Sequence, residues 1–142
     1  MPYASAQDLI DRYRLDEIVQ LTNQMGGSTI DAEVLGRALA DADSTVNAYL
    51  QGRYALPLPS PYPALLVRLG CEITRYYLYK DAATDQVKER HDAAIATLEG
   101  IAKGRVGLGL DAVGQEAPDD AAGNVLALSP PRVFSRETLE RY

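Results

Sequence analysis

An all-α fold is predicted by three observations. Apolar residues recur at alternating spacings of four and three in two separate stretches, Leu35 to Tyr49 and Val87 to Ile101, which is the pattern of an amphipathic helix. Between them Leu65, Leu66, Leu69, Ile73, Tyr76 and Tyr77 make a third, wider apolar face. Proline and glycine punctuate the joins, and helical periodicity fades beyond Gly104. The expected architecture is a small helical bundle of three main helices, with an N-terminal helical hairpin and an extended C-terminal arm. Residues 1–104 are the helical domain, and residues 105–142 are an arm rather than an independent domain.

Each element has its own signal. Ser5-Ala6-Gln7-Asp8 resembles a capping box with aspartate in the place of glutamate. Leu9, Ile10 and Tyr13 then share a face. A second short piece carries Leu15, Ile18, Val19 and Leu21 and is expected to stop at Gly26-Gly27. Asp31 is placed to cap the helix that carries Leu35, Leu39, Ala42, Val46 and Tyr49, and Gly52 to end it. The run Arg53-Tyr54-Ala55-Leu56-Pro57-Leu58-Pro59 follows, and Ser60-Pro61 or Tyr62-Pro63 opens the next helix. Thr84 is a candidate cap for the last main helix, and Gly104 sits where a glycine ends one.

The arm lacks a core of its own but not apolar residues. Val125, Leu126, Leu128, Val133, Phe134 and Leu139 favour a segment that orders on a partner over a disordered tail.

The totals exclude several classes. A chain of 142 residues suits one domain and buries roughly 70% of its unfolded surface without staples. The net charge of −6 speaks against a protein that grips phosphates, though not against one that lets nucleic acid pass. Nine tyrosines with no tryptophan suit half-buried contacts and interfaces. Cys71 is alone, so an intrachain disulfide is impossible and a small buried hydrophobe is expected, as in a reducing compartment. The N-terminus has no basic region followed by an apolar stretch. No apolar run approaches the ~20 residues of a membrane span. A soluble protein without a readable sorting signal is expected.

Catalytic and metal chemistry finds no foothold. His91, the one histidine, lies on an apolar stripe and lacks a second ligand three or four residues away. A packed aromatic is expected there. No Gly-x-Ser-x-Gly elbow supports a nucleophile. Gly104-Arg105-Val106-Gly107-Leu108-Gly109 lacks the ending of a phosphate loop and reads as a helix cap followed by a turn. Asp111, Glu116, Asp119 and Asp120 do not have the spacing of a calcium loop. Asp16-Glu17, Asp41 and Asp43 read as solvated carboxylates on polar faces. No enzyme activity, cofactor or metal is expected. The residues singled out are instead Tyr49, Arg53, Tyr54 and Pro57. Arg53 either caps the last carbonyls of its own helix, with Tyr54 packed between helices, or the pair serves a subunit interface, where Arg and Tyr are enriched.

At these residues the chain resembles the Mu gp36-like family of phage head–tail connectors. The resemblance rests on Tyr3-Ala4, Asp8-Leu9, Asp41-Ala42, Tyr49-Leu50, Arg53-Tyr54, Leu56-Pro57-Leu58, Pro63, Leu66, Tyr76-Tyr77, Val87, Arg90, Ala94, Leu98 and Gly104. The Arg-Tyr-x-Leu-Pro-Leu element is the most specific part. The family more often has tyrosine where this chain has His91, in keeping with a packed aromatic. The tail resembles the family through Arg132-x-Phe134-Ser135-Arg136.

The resemblance implies a virion structural protein in the neck, present in the host cytoplasm during assembly. It implies a homo-oligomeric ring of about twelve copies beneath the portal protein, with a neck or tail terminator protein on the tail side. DNA would pass through the ring without sequence-specific binding, and no membrane is involved. The arm residues Val125, Leu126, Leu128, Arg132, Phe134 and Leu139 would dock on the portal or on a neighbouring subunit. The alternative reading is a cytoplasmic helical-bundle regulator or chaperone that binds one partner protein.

Overall fold

The computed structural model describes residues 2–110. The described residues form a bundle of five α-helices. They are α1 (Ala6–Tyr13), α2 (Leu15–Thr22), α3 (Ala32–Leu50), α4 (Ala64–Tyr79) and α5 (Asp85–Ala102), with a 3₁₀ turn at Lys80–Ala82. The three long helices pack on one another, while α1 packs on α2 and α4, and α2 on α3 and α4. The all-α expectation therefore holds across the described residues. The predicted arm residues Val125, Leu126, Leu128, Arg132, Phe134 and Leu139 lie outside them.

The caps explain where the helices begin. Ser5 Oγ accepts from the Asp8 amide, and Asp8 Oδ2 accepts from the Ser5 amide, closing the capping box read from the sequence. Asp31 Oδ1 accepts from the amides of Glu33 and Val34 at the start of α3. Thr84 accepts from Val87 at the start of α5. Pro63 precedes the first turn of α4, where its missing N–H goes unneeded and its carbonyl accepts from Leu66 and Val67.

Two helix ends differ from expectation. Helix α2 stops at Thr22 rather than at Gly26-Gly27. The Thr22 hydroxyl donates to the Ile18 carbonyl at 2.8 Å and accepts from the Asp31 amide, so it stitches the end of α2 to the start of α3. Gly52 lies just beyond α3, yet it does not have the positive φ of a glycine cap, and a Cβ there would meet open space. The turn is closed instead by the amides of Arg53 and Tyr54, both donating to the Leu50 carbonyl at 2.9 Å. Between α1 and α2 the chain turns at Arg14, with φ 73° and ψ 147°. That region is sparsely populated for a residue with a side chain and carries strain on the order of 1–3 kcal/mol.

The core falls into two clusters. The first holds Val46, Leu50, Tyr54, Leu58, Leu66, Leu69, Ile73, Leu98 and Ile101, and extends to Tyr3 and Leu108. The second holds Ala4, Leu9, Ile18, Leu35, Leu39, Cys71 and Leu78. Helix α4 contributes to both, which is why it is buried around most of its circumference. Cys71 is fully buried among apolar neighbours, and burial pushes its thiol up to about 11. Full burial at positions such as Leu66, Leu98 and Ile18 is worth about 1.5–3 kcal/mol per side chain.

Candidate functional site

The sequence places four residues of interest within nine positions of the α3–α4 corner, and the structure brings them to one end of the bundle. Leu50, not Tyr49, is the fully buried residue at the end of α3; Tyr49 is half-buried and packs against the first cluster. Tyr54 is 3% exposed and fills the space between α3, α4 and α5. Its hydroxyl is buried without a hydrogen-bond partner among the described residues. Leaving such a group unsatisfied costs about 1–3 kcal/mol. Pro57 is exposed at the rim of a groove.

Arg53 is a helix cap, but not of its own helix. Its Nη1 donates to the carbonyl of Ile101 at the end of α5, at 3.1 Å. The expectation that it caps α3 is thus corrected. The amides of Arg53 and Tyr54 fold the chain back over Leu50, and that turn carries the guanidinium across to α5. A cation at this place meets the negative end of the helix dipole. The cap is shared with Gly104, whose φ of +77° is the left-handed form that glycine adopts freely. The Gly104 amide donates to Ile101, and the Arg105 amide to Gly100, which is the Schellman arrangement. A Cβ on Gly104 would come within 2.6 Å of Arg53 Nη1. Gly104 therefore supplies both the backbone turn and the room for the guanidinium.

After this cap the chain stays on the bundle. Leu108 is buried in the first cluster, with Val106 and Leu110 half-buried against it.

Beside the corner lies a groove of about 420 Å³ lined by Tyr3, Asp43, Asn47, Leu56, Pro57, Leu58 and Tyr62. The N-terminal segment forms one wall. The Tyr3 amide donates to Asp43 Oδ1 at 2.8 Å, the Tyr3 hydroxyl donates to Asn47 Oδ1, and the Tyr3 ring meets Tyr62 edge-on at 4.8 Å. Burial, reinforced by the Asp43 charge, pushes the Tyr3 phenol up to about 12. Burial also holds the Asp43 carboxyl above its ordinary value, against the opposing pull of the Tyr3 amide and the chain's N-terminal amine. Asp43 is thus a half-buried acceptor for Tyr3, not the solvated carboxylate its sequence position suggested. Helical spacing offers no signal for this pairing, because Tyr3 and Asp43 are forty positions apart.

A second polar cluster was likewise invisible in the sequence. Arg75 Nε donates to Glu17 Oε1 at 2.6 Å, and the Tyr79 hydroxyl donates to the same oxygen at 3.1 Å. The guanidinium lies 4.4 Å from the centre of the Tyr13 ring. Glu17 is thus an ion-pair partner that ties α2 to α4. His91 behaves as expected of a packed aromatic: its ring stacks on Tyr76 at 3.9 Å and 19°. No group of three or more His, Cys, Asp or Glu is placed to hold a metal among the described residues. No described helix is long and apolar enough to cross a membrane.

The family model for bacteriophage Mu Gp36 matches residues 3–127. The Mu-like prophage FluMu protein gp36 of Haemophilus influenzae is 41% identical over 108 residues, 76% of each chain. Gene product J of Escherichia phage Mu is 34% identical over 140 residues, 96% of each chain. The family match spans the corner, the groove and the cap on α5.

Proposed function

Because the chain belongs to the bacteriophage Mu Gp36 family, we propose that it is a virion structural protein of the phage neck. In this reading it is a head–tail connector that forms a ring under the portal, joins the capsid to the tail and lets DNA pass. The observation that carries the reading is the extent of the family match. It covers the bundle and runs on through residues 111–127, the first part of the proposed arm.

Physical considerations support the assignment. A closed ring needs a heterologous contact repeated by rotation, in which one face of a subunit meets a different face of the next. A helical bundle with α1 and α2 packed to one side of α4 offers such unlike faces. The corner suits a scaffold, because Arg53 and Gly104 fix α5 against the α3–α4 turn. The net charge of −6 disfavours gripping of phosphate and would let a duplex slide.

Deletion of residues 125–142 tests the reading. The helical bundle is expected to stay folded by circular dichroism, while heads and tails fail to join in a complementation assay. Electron microscopy of particles should place the full-length chain in a ring between head and tail. Joined particles from the truncated chain would remove the arm's role. Absence of the chain from purified particles would remove the connector reading and return the regulator or chaperone alternative.

A further inference from the structure

The break between α1 and α2 has no cause in the local sequence. Residues 6–22 contain neither glycine nor proline, the residues that ordinarily end or kink a helix. The two helices nevertheless meet at Arg14, whose φ of 73° and ψ of 147° lie beside a region that glycine alone populates freely. The Arg14 amide still donates to the Ile10 carbonyl, as in a continuing helix. No side chain caps the start of α2. In one continuous helix the amides of Leu15, Asp16 and Glu17 would donate to the carbonyls of Asp11, Arg12 and Tyr13, and Arg14 would lose its strain.

Tertiary packing explains why the chain bends instead. Leu9 and Ile18 are both fully buried in the second cluster. Their separation in the chain is about two and a half helical turns, so a straight helix would point them in opposite directions. The bend turns both inward. It is held by Ile18 in the core, by Glu17 with Arg75 at 2.6 Å and with Tyr79 at 3.1 Å, and by Thr22 with the Asp31 amide at 3.2 Å. All of these contacts belong to α2. Helix α1 is fixed independently, by its capping box and by Leu9. The link from α2 to α3 contains Gly26 and Gly27, and at about 3.3–3.6 Å per extended residue it leaves α2 room to swing.

We infer that residues 6–22 have two packings. In the bent one, α2 lies on α3 and α4 and Ile18 is covered. In the straight one, α2 leaves α4 and extends α1 as a single helix. Leu15, Ile18, Val19 and Thr22 then fall on one face, opposite Leu9, and stand off the bundle as an apolar stripe. Loss of the Glu17–Arg75 pair shifts the balance toward the straight form, and relief of the strain at Arg14 shifts it back. Both packings belong to the purified chain, so they stand or fall apart from the connector reading.

The test measures the distance between nitroxide labels on Gln7→Cys and Gln20→Cys in the full-length protein by pulsed electron resonance. Both positions are exposed, and Cys71 is fully buried and does not take up label. A continuous helix sets the two backbones about 20 Å apart, farther than across a bend. Chains with Arg14 and Arg75 intact should show mostly the shorter distance. Arg75→Ala should raise the share of the longer one about tenfold, with no loss of helix by circular dichroism. Adding Arg14→Gly should cut that share about fivefold, because glycine holds the bend without strain and disfavours the straight helix. Arg14 is exposed, so its replacement leaves the core intact. A single short distance in Arg75→Ala overturns the inference, because α2 then stays docked without its ion pair. So does a broad spread of distances with loss of helix, because α2 then melts rather than straightens. A long component that Arg14→Gly leaves unchanged overturns it as well.

Discussion

The α3–α4 corner and the seam where α1 and α2 meet α4 each depend on one arginine, and the two arginines act on different targets. Arg53 donates to a backbone carbonyl, Ile101 O, and finishes a helix that local rules had already ended at Gly104. Arg75 donates to a side chain, Glu17, and stacks against Tyr13, joining elements that local rules do not connect. The corner is therefore built on long helices whose own periodicity brings them together. The seam holds two eight-residue helices, separated by a strained Arg14, that gain stability from the contacts they make. Helices that short are not stable alone in water. Local geometry suffices where helices are long, and cross-element polar pairs substitute for it where they are short.

The largest expected effect tests whether the two regions open separately. Leu66→Ala in the first cluster and Leu9→Ala in the second each remove a fully buried leucine and should cost about 3 kcal/mol. Their consequences should differ. Under native-state hydrogen exchange the amides of α1 and α2 should open at lower free energy than those of α3, α4 and α5. Leu9→Ala should widen that gap, whereas Leu66→Ala should narrow it. One opening energy throughout the bundle would erase the distinction.

Next in size is the seam itself. Arg75→Ala leaves Glu17 with Tyr79 as its one side-chain donor among the described residues and exposes a face of Tyr13. Losing a charge-assisted bond of this kind should cost about 2 kcal/mol by denaturant titration. Glu17→Gln keeps an acceptor and should cost less. A loss below that expected of an exposed surface pair would mean that apolar packing alone holds α2.

The corner should respond less to loss of its arginine and in a coupled way. Arg53→Ala should cost about 1 kcal/mol, the scale of a helix cap. Gly104→Ala should cost about 1–2 kcal/mol from its left-handed backbone, with more from the clash with Arg53 Nη1. The two changes should therefore be non-additive, since Arg53→Ala clears the space that a Cβ at 104 needs. Additive costs would show that the guanidinium moves aside freely. Tyr54→Phe should be neutral or stabilise by about 1 kcal/mol, because it removes a buried hydroxyl without a partner. A loss of stability would reveal a bond that the hydroxyl makes elsewhere.

This division also marks what was legible in the sequence. The stripes of α3 and α5, the caps at Ser5, Asp31 and Thr84 and the glycine at 104 depend on neighbours within a few positions, so spacing alone exposes them. Of the two readings the sequence leaves open for Arg53, a cap on its own helix or an interface residue, the first names the wrong helix end. Spacing carries no information on which helix end a side chain meets across a corner. Glu17 with Arg75 and Tyr3 with Asp43 lie far apart in the chain, and the same residue types on polar faces are usually solvated. The end of α2 was missed because two glycines make an obvious stop. The actual stop is a threonine hydroxyl that competes for backbone partners.

The smallest effect is the most discriminating, because the two regions should respond to acid with opposite sign. Asp8, at the start of α1, accepts from the Ser5 side chain and backbone, and this holds its carboxyl below the ordinary value of 3.8. Its contribution is present above 3.8 and is lost as pH falls through the lowered value, because the unfolded chain takes up the proton first. Asp43, beside the groove, is held above 3.8 by burial. There the folded chain binds the proton first, so its contribution to stability rises as pH falls through the raised value and is complete below 3.8. Asp8→Asn should therefore flatten the acid limb of the stability profile below 3.8, whereas Asp43→Asn should remove a gain that begins above it. The Asp8 effect is small because that carboxyl is exposed and solvent-screened. If both variants shift the profile in the same direction, the groove carboxylate is as well solvated as the cap, and the polar pairing of Tyr3 with Asp43 does not set the wall of the groove.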